Sequence, residues 1–370
     1  MNGTHVGFQA CGGAGKRVML PRVSARRRSK DPHPTAVRAP LTGGFLLLAA
    51  PHGWRDACFA VPAVRAVRYS RRSATIGVVC PEEQEPLWEN VNVDRIIPYP
   101  VGASARRIVG LLRDQSERWN SVVLWEAGAV ADACARLAIP ERCGRPTPDL
   151  VTRLTRMVET PAKALGPVEH RVRGFLDLVQ ALGVEAFVPR NFEPAPPVSR
   201  VPAGVLLAPD SDYGPSHEWR VERWIEVARA ARQASGLRVT VAGLAGGRGG
   251  GRAVAAAMGE NDAAFIELEP LGGGLPVLAA HGVCVSADSS LAHLAAHVGC
   301  LCVTLFGPND PAWRRPLGRR HSVVRHHVEC APCLLGKCPF DRRCQQELST
   351  RVVIDALWGK IAESRNSGAD

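Results

Sequence analysis

The 370-residue chain lacks any long apolar run, and the longest one near its start covers only residues 43–50. A membrane helix needs roughly 18 to 20 apolar residues, so the sequence predicts no membrane span. The amino-terminal segment also lacks an apolar stretch followed by small residues, which argues against a secretory signal. We therefore expect a cytoplasmic protein, in which the twelve cysteines are thiols or metal ligands rather than disulfides.

Lysine and aromatic residues are scarce. Only five of the 46 basic residues are lysines, and aromatic residues make up 5% of the chain. The net charge of +11 is concentrated in residues 1–44, where eight basic residues face one acid, so the remaining residues carry +4. Charge alone is therefore weak support for nucleic-acid binding. With 46% apolar residues the chain can bury an ample core, and its length favours two domains.

Residues 1–44 are rich in Gly, Pro, Ser and Arg without periodicity, which indicates a disordered basic arm or a wrongly assigned translation start. Beyond them, short apolar strands alternate with amphipathic helices, and a proline-rich linker at 189–202 interrupts the alternation. This pattern predicts an α/β fold with parallel sheets covered on both faces. The predicted parts are a first domain at 45–188, the linker, a second domain at 203–347 and a carboxyl-terminal helix at 348–360.

Residues 286–311, SADSSLAHLAAHVGCLCVTLFGPNDP, form the most informative segment. With the apolar run before it, the segment predicts a strand, a helix opening on small polar residues, a second strand and a Gly-Pro turn. Ligands of open parallel sheets sit beyond the carboxyl ends of the strands, and a helix amino terminus there offers free N–H groups to phosphate. Asp288, Ser289 and Ser290 occupy that position, so we expect a phosphate-facing site at this turn.

Two other strand ends carry polar residues. Asp56 follows the first strand, where it can cap the next helix or act as a general base facing a cleft. In PDSDYGPSHEW, residues 209–219, Ser211, Ser216 and the N–H groups near His217 can hold phosphate oxygens, and a plain helix cap is an equally compatible interpretation. His293, one turn into the helix of the first motif, is either a ligand contact or a buried, satisfied histidine.

Four cysteines fall within 15 residues of a loop that contains Pro and Gly. Tetrahedral zinc needs four such ligands, and the first C-x2-C pair is a common half-site, but the second pair is irregular. Reduced or redox-active thiols are therefore the alternative to a structural zinc site. The residues concerned are Cys330, Cys333, Cys338 and Cys344.

In this order, GWRDACFAVPAVRAVR, PDSDYGPSHEW, ADSSLAHLAAHVGCLCVTLFGPNDP and CAPCLLGKCPFDRRC resemble glycosyltransferase family 9, the ADP-heptose:lipopolysaccharide heptosyltransferases. The resemblance covers roughly residues 45–358. It implies a GT-B architecture, in which two Rossmann-like domains with parallel sheets face each other across a cleft and a final helix packs back on the first domain. It also implies that the acceptor binds the first domain and the nucleotide sugar the second.

The resemblance implies an inverting sugar transfer that needs no cofactor for catalysis. Asp56 falls where the family places its catalytic base, and the donor-binding residues implied are Ser211, His217, Asp288, Ser289, Ser290, Leu291 and His293. His217 stands where the family commonly has a lysine that contacts the diphosphate. Residues 244–252 hold no acid, although the family often uses a Glu there to bind the ribose.

The implied donor is an ADP-sugar, ADP-heptose first, and the implied acceptor is a lipopolysaccharide core or another lipid-linked or cell-surface glycan at the inner face of the cytoplasmic membrane. One alternative keeps the fold and changes the nucleotide sugar. Another is a non-catalytic protein whose arm and cysteines contact nucleic acid, but the arm lacks interleaved aromatics and the Cys loop lacks a basic helix after it. The arm can instead contact anionic lipid.

Overall fold

The computed structural model describes residues 41, 43–159, 168–195, 200–244 and 249–367. The predicted basic arm lies almost wholly outside these residues, as does most of the glycine-rich segment around 245–248. In the described part of the chain, no helix is both long and apolar enough to cross a membrane.

The first half, residues 43–195, alternates strands and helices as the sequence predicts. Its elements are β1 (Phe45–Ala49), α1 (Trp54–Ser70), β2 (Thr75–Pro81), α2 (Glu85–Glu89), β3 (Arg95–Tyr99), α3 (Ala105–Arg113), β4 (Ser121–Leu124), α4 (Ala129–Arg136), β5 (Glu141–Gly144), β6 (Arg156–Met157) and α5 (Val172–Ala181).

The second half, residues 200–367, repeats the alternation. Its elements are β7 (Val201–Ala208), α6 (Val221–Ser235), β8 (Val239–Leu244), α7 (Gly250–Met258), β9 (Ala263–Leu268), α8 (Leu275–Ala279), β10 (His281–Ala287), α9 (Ser290–His297), β11 (Leu301–Phe306), α10 (Pro311–Arg314), β12 (Ser322–Arg325), α11 (Arg343–Gln346) and α12 (Thr350–Ser367). β7 therefore begins inside the predicted linker.

Each half builds a six-stranded sheet, and the strand pairs are parallel. The strand orders are β3-β2-β1-β4-β5-β6 and β12-β11-β10-β7-β8-β9. Both orders reverse at one point, between β1 and β4 in the first sheet and between β7 and β10 in the second. Ligands of open α/β sheets bind beyond the carboxyl ends of the strands at such a point. The loops after these four strands are therefore the expected site.

One hydrophobic core connects the two halves. α1 is buried along most of its length, because it packs on the first sheet and also contacts α5 and α9. Phe59 of α1 lies edge-on to His293 of α9, with ring centroids 5.0 Å apart, and edge-on to His170, with centroids 4.9 Å apart. α1 therefore lies in the interior, in contact with helices of both halves.

The final helix corrects one implied feature. The family resemblance places it against the first domain, but α12 packs on the second sheet and on α6. Val353, Leu357 and Ile361 recur every four residues on one side of α12 and share a core with Val205 and Val283.

Two hydrogen bonds join the halves beside the expected site. The backbone N–H of Arg171, just before α5, donates to the carbonyl oxygen of Trp313 at 2.9 Å. The His170 ring nitrogen Nε2 lies 2.8 Å from the carbonyl oxygen of Arg315, close enough for a hydrogen bond. The start of α5 is thus held against the end of α10.

Candidate active site

Asp56 lies in the first turn of α1, directly beyond β1. Its carboxylate accepts two hydrogen bonds from the guanidinium of Arg171, from Nε to Oδ1 at 2.6 Å and from Nη2 to Oδ2 at 2.5 Å. Such bidentate pairs fix orientation as well as charge. The capping alternative is wrong for this residue, because Gly53 is the N-cap and the carboxylate is turned to Arg171. Asp56 is therefore held as an oriented acceptor at the edge of the cleft.

A second carboxyl group stands beside Asp56. Glu126 follows β4, and its Oε1 accepts a hydrogen bond from the backbone N–H of His52 at 2.7 Å. Burial of the carboxyl group and the nearby charge of Asp56 raise the pKa of Glu126, while the bond from His52 opposes the rise. Sequence reasoning missed Glu126, although its position after a buried strand was the available signal. The two acids lie at the switch point of the first sheet.

Asp288 is the corresponding acid of the second sheet. It follows β10 and is fully buried. Its Oδ2 accepts from the Asn309 amide at 2.6 Å and lies 3.1 Å from Nδ1 of His217. Its Oδ1 has no hydrogen-bond partner among the residues that the structure describes. A buried, unpaired acceptor is costly, so this atom is the natural partner of a ligand hydroxyl.

The loop after β7 contacts Asp288 through a hydroxyl group and a histidine ring. The Ser211 hydroxyl donates to the backbone carbonyl oxygen of Asp288 at 2.6 Å. The backbone N–H groups of Ser216 and His217 donate to the carbonyl oxygens of Gly336 and Gly214, at 3.1 and 3.0 Å. These two N–H groups are therefore engaged in hydrogen bonds within the protein. Ser211 and His217 contact Asp288 through their side chains.

The amino terminus of α9 carries Ser289, Ser290 and Leu291, as the sequence predicts. The backbone N–H of Ser290 donates to Oδ1 of Asp212 at 2.8 Å. The buried hydroxyl of Ser289 has no hydrogen-bond partner in the described residues. A phosphate at this terminus would have to displace Asp212 from Ser290.

His293 is buried, but it is not a satisfied core histidine. Neither ring nitrogen has a hydrogen-bond partner among the described residues. Burial lowers its pKa well below the usual value, and the charges of Arg55, His170 and His321 act in the same direction. The ring is therefore neutral at physiological pH, and its two nitrogens are available to a neutral ligand group.

The four cysteines lie in the loop 330–344, beside the loop after β7 that contacts Asp288. Burial raises the pKa of Cys344, and the neighbouring thiols of Cys333, Cys330 and Cys338 add to the rise, which places the four groups near one another. No group of three or more His, Cys, Asp or Glu residues is arranged to hold a metal ion in the part of the chain that the structure describes.

The same loop packs against the loop after β7. Gln345 donates from Nε2 to the carbonyl oxygen of His217 at 3.4 Å, and Arg342 donates from Nη1 to that of Pro215 at 3.2 Å. The Ser216 bond to Gly336 adds a third connection. The conformation of the Cys loop thus helps to set the position of His217.

Comparisons with known proteins find similarity to one family of glycosyltransferases. Residues 191–343 match the model of glycosyltransferase family 9 (heptosyltransferase). Lipopolysaccharide heptosyltransferase 1 of Pseudomonas aeruginosa is 36% identical over 89 residues, which cover 24% of this chain and a quarter, 25%, of that protein.

Solved structures match over more of the chain. ADP-heptose lipopolysaccharide heptosyltransferase II of E. coli has a TM-score of 0.70 and 19% identity, covering 86% of this chain and 99% of that one. E. coli heptosyltransferase WaaC with ADP gives 0.64 and 18%, covering 85% and 99%. A family 9 glycosyltransferase of Veillonella parvula gives 0.67 and 15%, covering 86% and 97%.

These likenesses confirm the predicted GT-B architecture, with the two parallel sheets each carrying one cluster of polar loops. The family match covers most of the second half and includes the Asp288 turn, the His217 loop and three of the four cysteines. The resemblance drawn from the sequence is thus confirmed, and residues 191–343 form a glycosyltransferase family 9 (heptosyltransferase) domain.

Proposed function

We propose that the protein is an inverting glycosyltransferase that moves a heptose or related sugar from an ADP-sugar to a lipopolysaccharide core or another cell-surface glycan. One observation carries the proposal. Hydrogen bonds connect Asp56 of the first half to Asp288 of the second: Arg171 binds Asp56 and donates from its backbone to Trp313. The next residue, Arg314, donates to Asn309, which donates to Asp288, so the two acids face one cleft. The related P. aeruginosa and E. coli proteins are heptosyltransferases, and WaaC was solved with ADP.

In this proposal Asp56 is the general base. An acceptor hydroxyl donates its proton to the carboxylate while its oxygen attacks the anomeric carbon from the face opposite the nucleotide. The bond between that carbon and the diphosphate oxygen breaks, and ADP leaves with the electron pair. General-base catalysis of this kind contributes about 10²- to 10⁴-fold. Arg171 holds the carboxylate of Asp56 in one orientation through two hydrogen bonds, which makes Arg171 a positioning residue.

Asp288 and His293 are proposed to hold the donor sugar. The unpaired Oδ1 of Asp288 accepts from a sugar hydroxyl, and the neutral ring of His293 accepts from or donates to another. Ser211 and His217 position Asp288 from the loop after β7. Ser289, Ser290 and Leu291 line the amino terminus of α9 beside these groups.

A panel of nucleotide sugars tests the donor. We expect isothermal titration to show binding of ADP-heptose and ADP, with UDP- and GDP-sugars weaker by at least about tenfold. One missing or misplaced hydrogen bond to a buried polar group is sufficient for that ratio. Binding of a UDP- or GDP-sugar in preference to ADP-heptose would reject the ADP-sugar and retain the fold. The observation that favours this second donor is His217, which stands in place of the usual lysine and faces Asp288.

A lipid-linked acceptor would bring the enzyme to a membrane surface. A lipid-linked acceptor is presented at the inner face of the cytoplasmic membrane, so we propose peripheral contact there. The basic residues of the arm 1–44 suit anionic lipid, where each is worth about 1 kcal/mol.

We also propose a structural zinc ion in the Cys loop, held by Cys330, Cys333, Cys338 and Cys344. Four thiols near one another on one loop support it, and binding requires the loop to tighten around the ion. Since this loop positions His217, which faces Asp288, we expect about one zinc per chain by metal analysis and a loss of ADP-sugar affinity of at least about tenfold after chelation. Cys134→Ser, at a buried thiol of the first half, serves as the control and should retain the zinc. Metal-free protein with full ADP-sugar affinity and four titratable thiols would leave the loop without a metal role.

A further inference from the structure

Two of the diphosphate contacts implied by the family are engaged within this protein. His217 replaces the lysine, and its buried ring faces Asp288 at 3.1 Å. The N–H of Ser290 is bonded to the carboxylate of Asp212. A doubly charged diphosphate therefore needs other cationic partners, and the chain has only five lysines to supply them.

Two arginines, one from each half, lie at the cleft between the halves. Arg55 lies in the first turn of α1, and its guanidinium carbon stands 4.7 Å from the centre of the Tyr213 ring in the loop after β7. Arg314 ends α10 and donates from Nη1 to Oδ1 of Asn309 at 3.1 Å. Asn309 in turn donates to Asp288, so Arg314 is tied to the donor side of the cleft.

Both arginines leave a buried donor unused. The Nε atoms of Arg55 and Arg314 are inaccessible to solvent and have no hydrogen-bond partner among the described residues. Burial lowers the pKa of Arg314, and the charges of Arg55 and Arg171 lower it further, while Asp56 and Asp288 oppose them. Two half-buried cations that repel each other, each with a buried and unpaired Nε–H, form a costly arrangement unless an anion enters.

The neighbouring carboxylates do not satisfy this pair. Arg171 engages both oxygens of Asp56, and Nε of Arg55 is 4.0 Å from Asp56 Oδ1, beyond hydrogen-bond distance. Oδ2 of Asp288 is occupied by Asn309 and His217. The side chain of Arg55 is only 18% exposed, so solvent does little to screen it.

We propose that Arg55 and Arg314 together bind the diphosphate of the donor, one from each half of the protein, in place of the family's lysine. The inference rests on the proposed function and specifies how its donor is recognised. Planar guanidinium groups suit phosphate oxygens because each offers paired N–H donors. During transfer the same two groups neutralise the charge that develops on the leaving ADP.

The test titrates ADP, inorganic pyrophosphate and adenosine into wild type, Arg55→Gln and Arg314→Gln. A lost charge-assisted hydrogen bond should weaken ADP and pyrophosphate binding by about tenfold or more in each variant, while adenosine binding stays unchanged. Arg319→Gln, at an exposed arginine on the same segment as Arg314, is the matched control and should bind all three like wild type. Melting temperatures of the apo variants, measured beside these titrations, show whether each substitution leaves the fold intact.

Arg314→Lys keeps the charge without the fork and should recover part of the pyrophosphate affinity, which protects the test if Arg314→Gln misfolds. Unchanged pyrophosphate and ADP affinity in both Gln variants would overturn the proposal, as would a loss confined to the acceptor KM. If pyrophosphate binding depends on both arginines while ADP has no advantage over UDP or GDP, the arginine site stands and the ADP-sugar assignment fails.

Discussion

Replacing Asp56 with Asn should lower kcat by about 10²- to 10⁴-fold while ADP-sugar affinity stays within about threefold of wild type. The amide keeps the size of the side chain but cannot take the proton of the acceptor hydroxyl. It also removes one of the two acceptors that Arg171 uses. Donor affinity should survive because the donor-binding groups belong to the second half and to arginines other than Arg171. Steady-state turnover and donor titration measure the two quantities.

Two controls separate catalysis from folding. Asp132→Asn removes another carboxylate of the first half, paired with Arg153 on the surface, and should leave turnover unchanged. Glu126→Gln addresses the second acid at the switch point and should reduce turnover less than Asp56→Asn. If Glu126→Gln abolished transfer while Asp56→Asn retained it, the base would be Glu126. Full activity of Asp56→Asn would refute its assignment.

Asp288→Asn should weaken ADP-sugar binding by about 10- to 100-fold and leave ADP binding nearly unchanged. The amide oxygen can still accept from Asn309, so the buried connection to Arg314 persists. The atom in the place of Oδ1 becomes an NH2 donor, and the sugar hydroxyl loses its charged acceptor. A hydrogen bond to a charged group is worth about 1.5–3 kcal/mol, which corresponds to that range.

The comparison of ADP-sugar with ADP makes this result specific to the sugar. Asp262→Asn, at an acid paired with Arg232 on the far side of the second half, is the matched control and should bind both ligands normally. Equal losses for ADP and ADP-sugar would show that Asp288 acts through the shape of the pocket. No loss for either would remove it from the donor site.

Residues that follow central strands were predictable from the chain alone. Asp56, Ser211 and Asp288 each lie in the segment that follows a buried apolar strand, and parallel sheets bring such ends to one edge. The two short strands at one end of the first sheet were not predicted, because β5 has only four residues, two of them charged, and β6 only two. Apolar periodicity cannot indicate a strand of that length.

The arginines of the cleft could not be predicted. Arg171 pairs with Asp56 across 115 positions in sequence, and Arg55 meets Arg314 only because α1 and α10 lie on either side of the cleft. In a chain where 41 of 46 basic residues are arginine, composition gives no reason to single out three. Whether each of the three arginines reaches the cleft depends on the direction of its side chain. That direction is set by packing between the halves. The predicted domain boundaries stay predictions.

The two hydrogen bonds between the start of α5 and residues 313 and 315 connect the orientation of Asp56 to the contact between the two halves. Arg171, which aims Asp56, is tethered by its own backbone to the residue before Arg314. A motion that separates the halves would break both bonds, release the backbone of Arg171 and draw Arg55 away from Arg314 in one step. The side chain that orients Asp56 and the two arginines proposed to bind the diphosphate thus depend on the same contact between the halves.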